Sequence, residues 1–279
     1  MLNFIQTHIW FSAIIIGILS LIAGSFLNLV ICYYPAIVKQ EKIKIEHLLT
    51  KKLNFIYSKS YCPACKKILH WLYKIPLISY LLFKGKCAYC RIRINPFYPT
   101  IELFTAAASV IVLLYLGWNI KMLCVLYVTW ILIVISTIDF KTQMIPNTCA
   151  GLLLWSGLLI NCFSLFATPI QAILGVIAGY LSLSIFQKVF YWIQKKDVIG
   201  DGDLQLTAAL SAWLGIQFLP LLLLVAAVMT LIISIMLIIF RKIKWKTMIA
   251  FGPFLSLSGW LLLMFNAPFQ RLWYLMLGY

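Results

Sequence analysis

The sequence is poor in charged residues, and above all in acidic ones. Asp, Glu, Lys and Arg together make up 11% of the 279 residues, whereas about a quarter of a soluble globular chain is charged. Only seven residues are acidic, against 23 basic ones, and 63% of the chain is hydrophobic. This composition excludes an ordinary soluble domain and predicts an all-α protein that crosses a membrane several times.

Several sequence signatures are also missing. The chain has no His-Glu-x-x-His string, which argues against a zinc metalloprotease of that type, and its three histidines are not spaced as a metal or catalytic pair. No Lys or Arg precedes Lys39, so the first apolar run lacks the basic start of a removable signal peptide. We therefore expect this run to remain in the protein as its first helix.

Eight apolar runs follow one another along the chain, and each is a candidate membrane helix. The sixth run is shorter than the about 20 residues that a spanning helix needs, so its bounds are open. The runs cover residues 9–31, 101–116, 122–138, 150–166, 170–192, 204–214, 219–240 and 249–265.

The basic residues are distributed unevenly between the segments that join these runs. If the runs alternate across the membrane, 21 of the 23 Lys and Arg residues lie on one side, and only Lys121 and Arg271 lie on the other. By the positive-inside rule the rich side is cytoplasmic and the N-terminus lies outside. The net charge of +16 then reflects topology and contact with anionic membrane lipids, and no nucleic-acid partner is expected.

Two of the few carboxylates, Asp139 and Asp203, stand where apolar runs end and begin. Asp139 follows the third run, and Asp203 closes the string Gly200-Asp201-Gly202-Asp203 before the sixth run. Because two runs separate them, both side chains should lie at the same cytoplasmic face. A carboxylate at a membrane edge is costly and is a candidate for function. Two carboxylates that share one proton could activate a water, as in aspartic proteases.

Each candidate residue also has a structural interpretation. Asp139 could be a solvated helix end, and Asp203 could cap the next helix. Gly200 and Gly202 allow either a plain tight turn or a close approach of the substrate backbone. Glu102, at the cytoplasmic start of the second run, either caps that helix or faces the active-site cavity.

The polar segment between the first two runs contains two cysteine pairs. They are Cys62-Pro63-Ala64-Cys65 and Cys87-Ala88-Tyr89-Cys90, and this spacing predicts a tetrahedral zinc site with all four cysteines as ligands. Four protein ligands leave no open position, so the zinc would be structural. Cytoplasmic reducing conditions argue against two disulfides, although structural disulfides and redox-active thiols remain the alternatives.

Taken together, these segments resemble the type IV prepilin peptidases, a family of bifunctional leader peptidases and N-methyltransferases. The resemblance covers nearly the whole chain. At Asn147, Asp201 and Gln205 the chain has a different residue from the one common in the family, and none of these differences removes a catalytic carboxylate. The matching strings are Gly24-Ser25-Phe26-Leu27-Asn28, the two cysteine pairs, Tyr98-Pro99 with Glu102, Ile138-Asp139, the string ending in Asp203, and Phe251-Gly252-Pro253-Phe254.

The resemblance implies a multi-pass intramembrane aspartyl protease of the bacterial inner membrane. Its clients would be prepilins or pseudopilins, cleaved after a short basic leader at the cytoplasmic face by Asp139 and Asp203. It also implies methylation of the new N-terminal amine with S-adenosylmethionine, whose binding residues the sequence leaves unknown. We expect a first membrane helix in residues 1–34, a cytoplasmic zinc-binding domain in 35–100 and a transmembrane catalytic bundle in 101–279.

Two other classes of protein fit part of the pattern. A proton-coupled transporter can also use paired membrane carboxylates, but it predicts inverted internal repeats, and none is visible in the sequence. A non-catalytic membrane assembly factor could use the zinc segment for docking. Such a factor would keep its function after both aspartates are lost.

Overall fold

The computed structural model describes residues 9–41, 65, 80, 82, 83, 85–87, 89–93, 95–195, 200–240 and 249–265. The chain divides into two compact units, Met1–Trp118 and Asn119–Tyr279. Within the described ranges it forms eight α-helices of 13 to 33 residues. The first unit contains α1 (Ile9–Glu41) and α2 (Phe97–Leu116), and the second contains α3 (Ile120–Thr142), α4 (Asn147–Asn161), α5 (Pro169–Gln194), α6 (Asp201–Leu214), α7 (Leu219–Ile239) and α8 (Gly252–Met264).

The prediction of an all-α membrane protein is confirmed at this level. Five helices, α1, α2, α3, α5 and α7, are long and apolar enough to cross a membrane. The other three, α4, α6 and α8, have 15, 14 and 13 residues. Each predicted apolar run falls on one of these helices, so the pattern of hydrophobic residues located the helices correctly.

In the first unit α1 packs against α2 at very short range. Gly24 makes this possible, because a Cβ at that position would lie 2.9 Å from the Cα of Glu102. Small residues at such contacts let two helix backbones approach in a membrane, where hydrophobic burial gives little drive for helix association. The pair therefore depends on close packing and on polar contacts between the two helices.

In the second unit α6 is the innermost helix, although it is one of the shortest. Every residue from Leu206 to Leu214 is buried, and α4, α5 and α8 all pack against it. Trp213 is fully buried and donates a hydrogen bond from Nε1 to the backbone oxygen of Leu153 in α4, at 2.8 Å. Gly157 makes room for the indole, since a Cβ there would lie 2.6 Å from its Cδ1.

Asn161 at the end of α4 holds the far end of α6. Its Nδ2 donates to the backbone oxygens of Ala212 and Trp213, at 2.7 and 3.2 Å. Its Oδ1 accepts from the backbone N–H groups of Phe166 and Ala167, both at 3.1 Å. One fully buried amide thus satisfies four backbone groups that have no water to bind.

We predict that Asn161→Ala destabilises the second unit strongly. The substitution leaves these buried backbone groups without their side-chain partner, which should lower the free energy of unfolding by at least about 2 kcal/mol. Thermal unfolding in detergent measures the effect. Asn147→Ala, at an exposed position at the start of the same helix, is the matched control. Equal unfolding temperatures for the two variants would contradict the assigned role of Asn161.

Candidate active site and metal centre

The structure brings Asp139 and Asp203 together. Asp139 lies in the last turn of α3, and the C-cap residue Gln143 after this helix has a left-handed conformation with φ of 54°. Asp203 lies in the first turn of α6, and α4 and α5 carry the chain between the two positions. A Cβ on Gly252 would meet both Asp139 and Ile145, and a Cβ on Gly202, the residue before Asp203, would also meet Ile145, so the two aspartates are neighbours.

Both carboxylates have an oxygen that is buried and that accepts no hydrogen bond from the described part of the chain. These atoms are Oδ2 of Asp139 and Oδ1 of Asp203, and the Asp139 side chain is 5% exposed. A buried acceptor without a donor costs free energy, so such groups are rare unless a function maintains them. Two neighbouring acceptors of this kind fit a site that holds a water or a polar group of a substrate between them.

Backbone N–H groups at two helix starts face this pair. Gly200 is the N-cap of α6, and its N–H interacts with the Asp203 carboxylate three residues later. This arrangement is half of a capping box, and the positive end of the helix dipole also favours a carboxylate there. The backbone N–H of Gly252, at the start of α8, similarly lies within reach of the Asp139 carboxylate. Capping by Asp203 and membership of the site therefore coexist.

The starts of α6 and α8 both pack against Ile145, in the segment after α3. A Cβ on Gly202 would lie 2.7 Å from the Cβ of Ile145, and one on Gly252 would lie 3.0 Å from its Cδ1. A Cβ on Gly252 would also lie 2.5 Å from Oδ2 of Asp139. Both glycines are therefore required because the starts of α6 and α8 pack directly against the segment after α3. Gly200 is different, since a Cβ there meets only Oδ2 of Asp203, at 3.6 Å.

The sequence assigned no part in the site to Gly252 or Ile145. The signal that could have identified Gly252 is the string Phe251-Gly252-Pro253, in which a glycine stands near the start of an apolar run, shortly after a basic segment. Ile145-Pro146, six and seven residues after Asp139, belongs to the strings that resemble the family, but the resemblance assigns Ile145 no role. Its role depends on two helices that are distant from it in sequence.

Two other acidic residues, Asp201 and Glu102, have hydrogen-bond partners of their own. Asp201 is exposed, and its Oδ1 accepts a hydrogen bond from Nε2 of Gln187 in α5, at 3.2 Å. Glu102 belongs to the first unit, where it is 8% exposed and its Oε1 accepts a hydrogen bond from Oγ of Ser25. Glu102 is the sixth residue of α2 and therefore does not cap its first turn, which rules out the capping interpretation of this residue.

Three of the four predicted metal ligands lie together. The Sγ atoms of Cys65, Cys87 and Cys90 are all within 4.8 Å of one another, while Cys62 lies outside the described residues. A tight turn presents two of them: the N–H of Cys87 donates to the oxygen of Ile92, and the N–H of Arg91 donates to the oxygen of Cys87. Thiolates grouped in this way are the donor set that zinc prefers.

Two family models match the chain. The model described as the bacterial peptidase A24 N-terminal domain matches residues 18–116, and the model described as the type IV leader peptidase family matches residues 126–235. The first match begins within α1 and ends with α2, and the second includes both aspartates.

Several curated proteins are similar over nearly their whole length, and all of those named here are called prepilin leader peptidase/N-methyltransferase. The protein of Legionella pneumophila is 35% identical over 277 residues, which is 95% of each chain. That of Neisseria gonorrhoeae is 36% identical over 94% of this chain and 93% of its own. That of Pseudomonas aeruginosa is 33% identical over 97% and 96%. No solved structure matches the chain.

We predict that the purified protein contains about one zinc ion per chain, held by the cysteine cluster. Cys87→Ser should remove most of the metal, because the buried Cys87 thiolate is replaced by a weaker ligand. Metal analysis of the purified protein measures the content. Cys149→Ser, at a cysteine of α4 outside the cluster, is the matched control and should retain the metal. A wild-type protein free of zinc would contradict the prediction.

Proposed function

The chain belongs to the type IV leader peptidase family, and we propose that it removes the leader peptide from type IV prepilins or pseudopilins and methylates the new N-terminus. Family membership rests on the near full-length similarity to proteins named for both activities. The observation that carries the proteolytic mechanism is the pair of neighbouring carboxylates, Asp139 and Asp203, with their buried, unpartnered oxygens.

The pair acts by general acid–base catalysis on the scissile peptide bond. One ionised carboxylate removes a proton from a water, whose oxygen then bonds to the carbonyl carbon, while the other, protonated carboxylate donates its proton to the carbonyl oxygen. The carbon–nitrogen bond then breaks, and the leaving amine takes a proton from the pair. Two carboxylates in contact share one proton readily, because both cannot be ionised at low cost away from bulk water.

The backbone around the pair supports this chemistry. The N–H groups of Gly200 and Gly252 stabilise negative charge on the carboxylates without bringing in a competing side chain. The absence of a side chain at Gly252 also lets the start of α8 pack directly against the Asp139 carboxylate, where a Cβ would lie 2.5 Å from Oδ2.

The proposed location is the inner membrane of a bacterium, with the aspartate pair at the cytoplasmic face. The distribution of basic residues supports this orientation, with the N-terminus outside and all eight helices within the membrane region. A leader with basic residues would remain in the cytoplasm while the hydrophobic helix of the client stays in the lipid. Cleavage at this boundary does not require the client helix to leave the membrane.

Two small components complete the proposal. Zinc would be held by Cys65, Cys87 and Cys90 together with Cys62, and it would stabilise the segment between α1 and α2 rather than take part in hydrolysis. S-adenosylmethionine would supply the electrophilic methyl group for the second activity.

The proposed domain organisation has three parts: the first membrane helix in residues 1–34, the zinc-binding domain in 35–100 and the transmembrane catalytic bundle in 101–279.

We predict that Asp139→Asn and Asp203→Asn each reduce leader removal by at least about a thousandfold, because an amide can neither accept nor donate the catalytic proton. Co-expression with a prepilin, followed by measurement of the client mass, detects the loss of the leader. Asp201→Asn is the matched control, since the exposed Asp201 should contribute little. If both folded variants still remove the leader at the wild-type rate, Asp139 and Asp203 would not be the catalytic pair.

We further predict that Gly252→Ala reduces cleavage about a hundredfold with little change in client affinity, because the new methyl group displaces the Asp139 carboxylate. The separate kcat and KM values for a purified prepilin test this split. Gly151→Ala in α4 is the matched control, since a Cβ there meets no atom within 4 Å. Equal kcat values for the two variants would show that Gly252 does not position Asp139.

A further inference from the structure

The first unit contains a polar cluster, with Asn28 and Glu102 buried, that has no part in the proposed cleavage mechanism. It consists of Ser25 and Asn28 of α1 with Tyr98 and Glu102 of α2, and we call it the α1–α2 cluster. Ser25 Oγ donates a hydrogen bond to Glu102 Oε1, and Asn28 Nδ2 donates to the backbone oxygen of Tyr98, at 2.9 Å. These residues come from two strings of the sequence that the proteolytic mechanism leaves unexplained.

The cluster is rich in hydrogen-bond acceptors that are hidden from water. Glu102 is 8% exposed and Asn28 is 5% exposed. Because Asn28 Nδ2 is directed at a carbonyl, the amide orientation is determined, and the acceptor Oδ1 must point the other way. This Oδ1 is buried and accepts no hydrogen bond from the described residues. A buried amide oxygen without a donor, in a cluster that also contains a buried carboxylate, favours a ligand that donates hydrogen bonds.

Glu102 differs from the other buried polar residues of α2. Thr105 and Ser109 are fully buried hydroxyl residues that donate to backbone oxygens one turn earlier in the same helix. Glu102 instead accepts a hydrogen bond from Ser25 of α1, across the contact between the two helices. An ionisable group within a membrane helix is a candidate for function in its own right. Tyr98, which is 39% exposed, connects the cluster to the surface at the start of α2.

We propose that the α1–α2 cluster binds a primary ammonium group during the methylation reaction. The Glu102 carboxylate supplies the opposite charge, and Asn28 Oδ1 supplies a second acceptor for a different N–H of the same group. The proposal rests on the proposed second activity, in which two primary amines take part. One is the new N-terminus of the cleaved client, and the other is the amino-acid part of the sulfonium methyl donor.

The two sources give Glu102 different tasks. If it binds the client terminus, it accepts the proton that the ammonium must lose before the nitrogen lone pair can bond to the methyl carbon. The carbon–sulfur bond of the donor breaks in that step, and its electron pair stays on sulfur. If it binds the donor, Glu102 only positions the amino-acid part and no proton is transferred. In both cases the cluster recognises an ammonium group.

Binding to the purified full-length protein tests the proposal directly. The probes are S-adenosylmethionine and a peptide with the mature N-terminal sequence of a prepilin, either with a free amine or acetylated. We expect Glu102→Gln to weaken the binding of one probe at least about tenfold, since the charge-assisted hydrogen bond is lost. Loss for S-adenosylmethionine identifies the donor, and loss for the free-amine peptide alone identifies the client terminus. Unchanged binding of both probes would overturn the proposal.

A second measurement separates this proposal from the proposed function. In a coupled assay Glu102→Gln should cleave prepilin within about twofold of wild type but methylate it at least about tenfold more slowly, as client masses report. Ser25→Ala, which removes only the donor that orients Glu102, should slow methylation less, and it covers the case in which Glu102→Gln does not fold. Ser109→Ala, two turns along α2, is the control and should leave both activities unchanged.

The possible failures are distinguishable. If folded Glu102→Gln loses cleavage and methylation equally, the cluster serves the whole fold, and the ammonium site is wrong. If wild type cleaves without methylating, the second proposed activity fails, while the binding of the free-amine peptide still decides whether the cluster recognises an ammonium group. If Glu102→Gln and Ser25→Ala both methylate at the wild-type rate, the inference is excluded.

Discussion

The contact of two helix starts with Ile145 is the interaction on which the site in the second unit depends. Gly202 and Gly252 have no side chains, so α6 and α8 approach the segment after α3 to distances at which any Cβ would clash. This approach brings Asp203 and the N–H of Gly252 to the Asp139 carboxylate. A site built on helix ends in this way is rigid, because its backbone is held on several sides.

The burial of α6 among other helices explains how a short helix can tolerate the partly unsatisfied carboxylate of Asp203, which lowers the stability of the fold. Its buried length, anchored by Trp213 and Asn161 at the far end, contacts α4, α5 and α8. Packing on all sides stabilises the helix independently of its first turn. The carboxylate of Asp203 can therefore stay partly unsatisfied there, as its proposed catalytic role requires.

The buried carboxylates of the two units have different surroundings. In the second unit two carboxylates face each other, which suits the sharing of a proton. In the first unit Glu102 has a hydroxyl donor, Ser25, and an amide acceptor, Asn28, in the same cluster, which suits the binding of a cation. This difference in surroundings separates two chemistries that the names of the relatives combine in one protein.

The sequence by itself determined the helices, the shared end of Asp139 and Asp203, and the cysteine pairs, because apolar runs, charge counts and ligand spacing are local properties. The sequence selected Asp203 over Asp201 by its place in the motif, and the tertiary structure supplied the physical reason: two residues two positions apart on a helix differ by about 200°, so the packing of α6 turns Asp203 towards Asp139 and Asp201 towards Gln187. Only the tertiary structure decided the roles of Ile145, Gly252 and the partners of Glu102. Those roles depend on contacts between helices that are distant in sequence. The spacing of hydrophobic residues within one segment does not indicate such contacts.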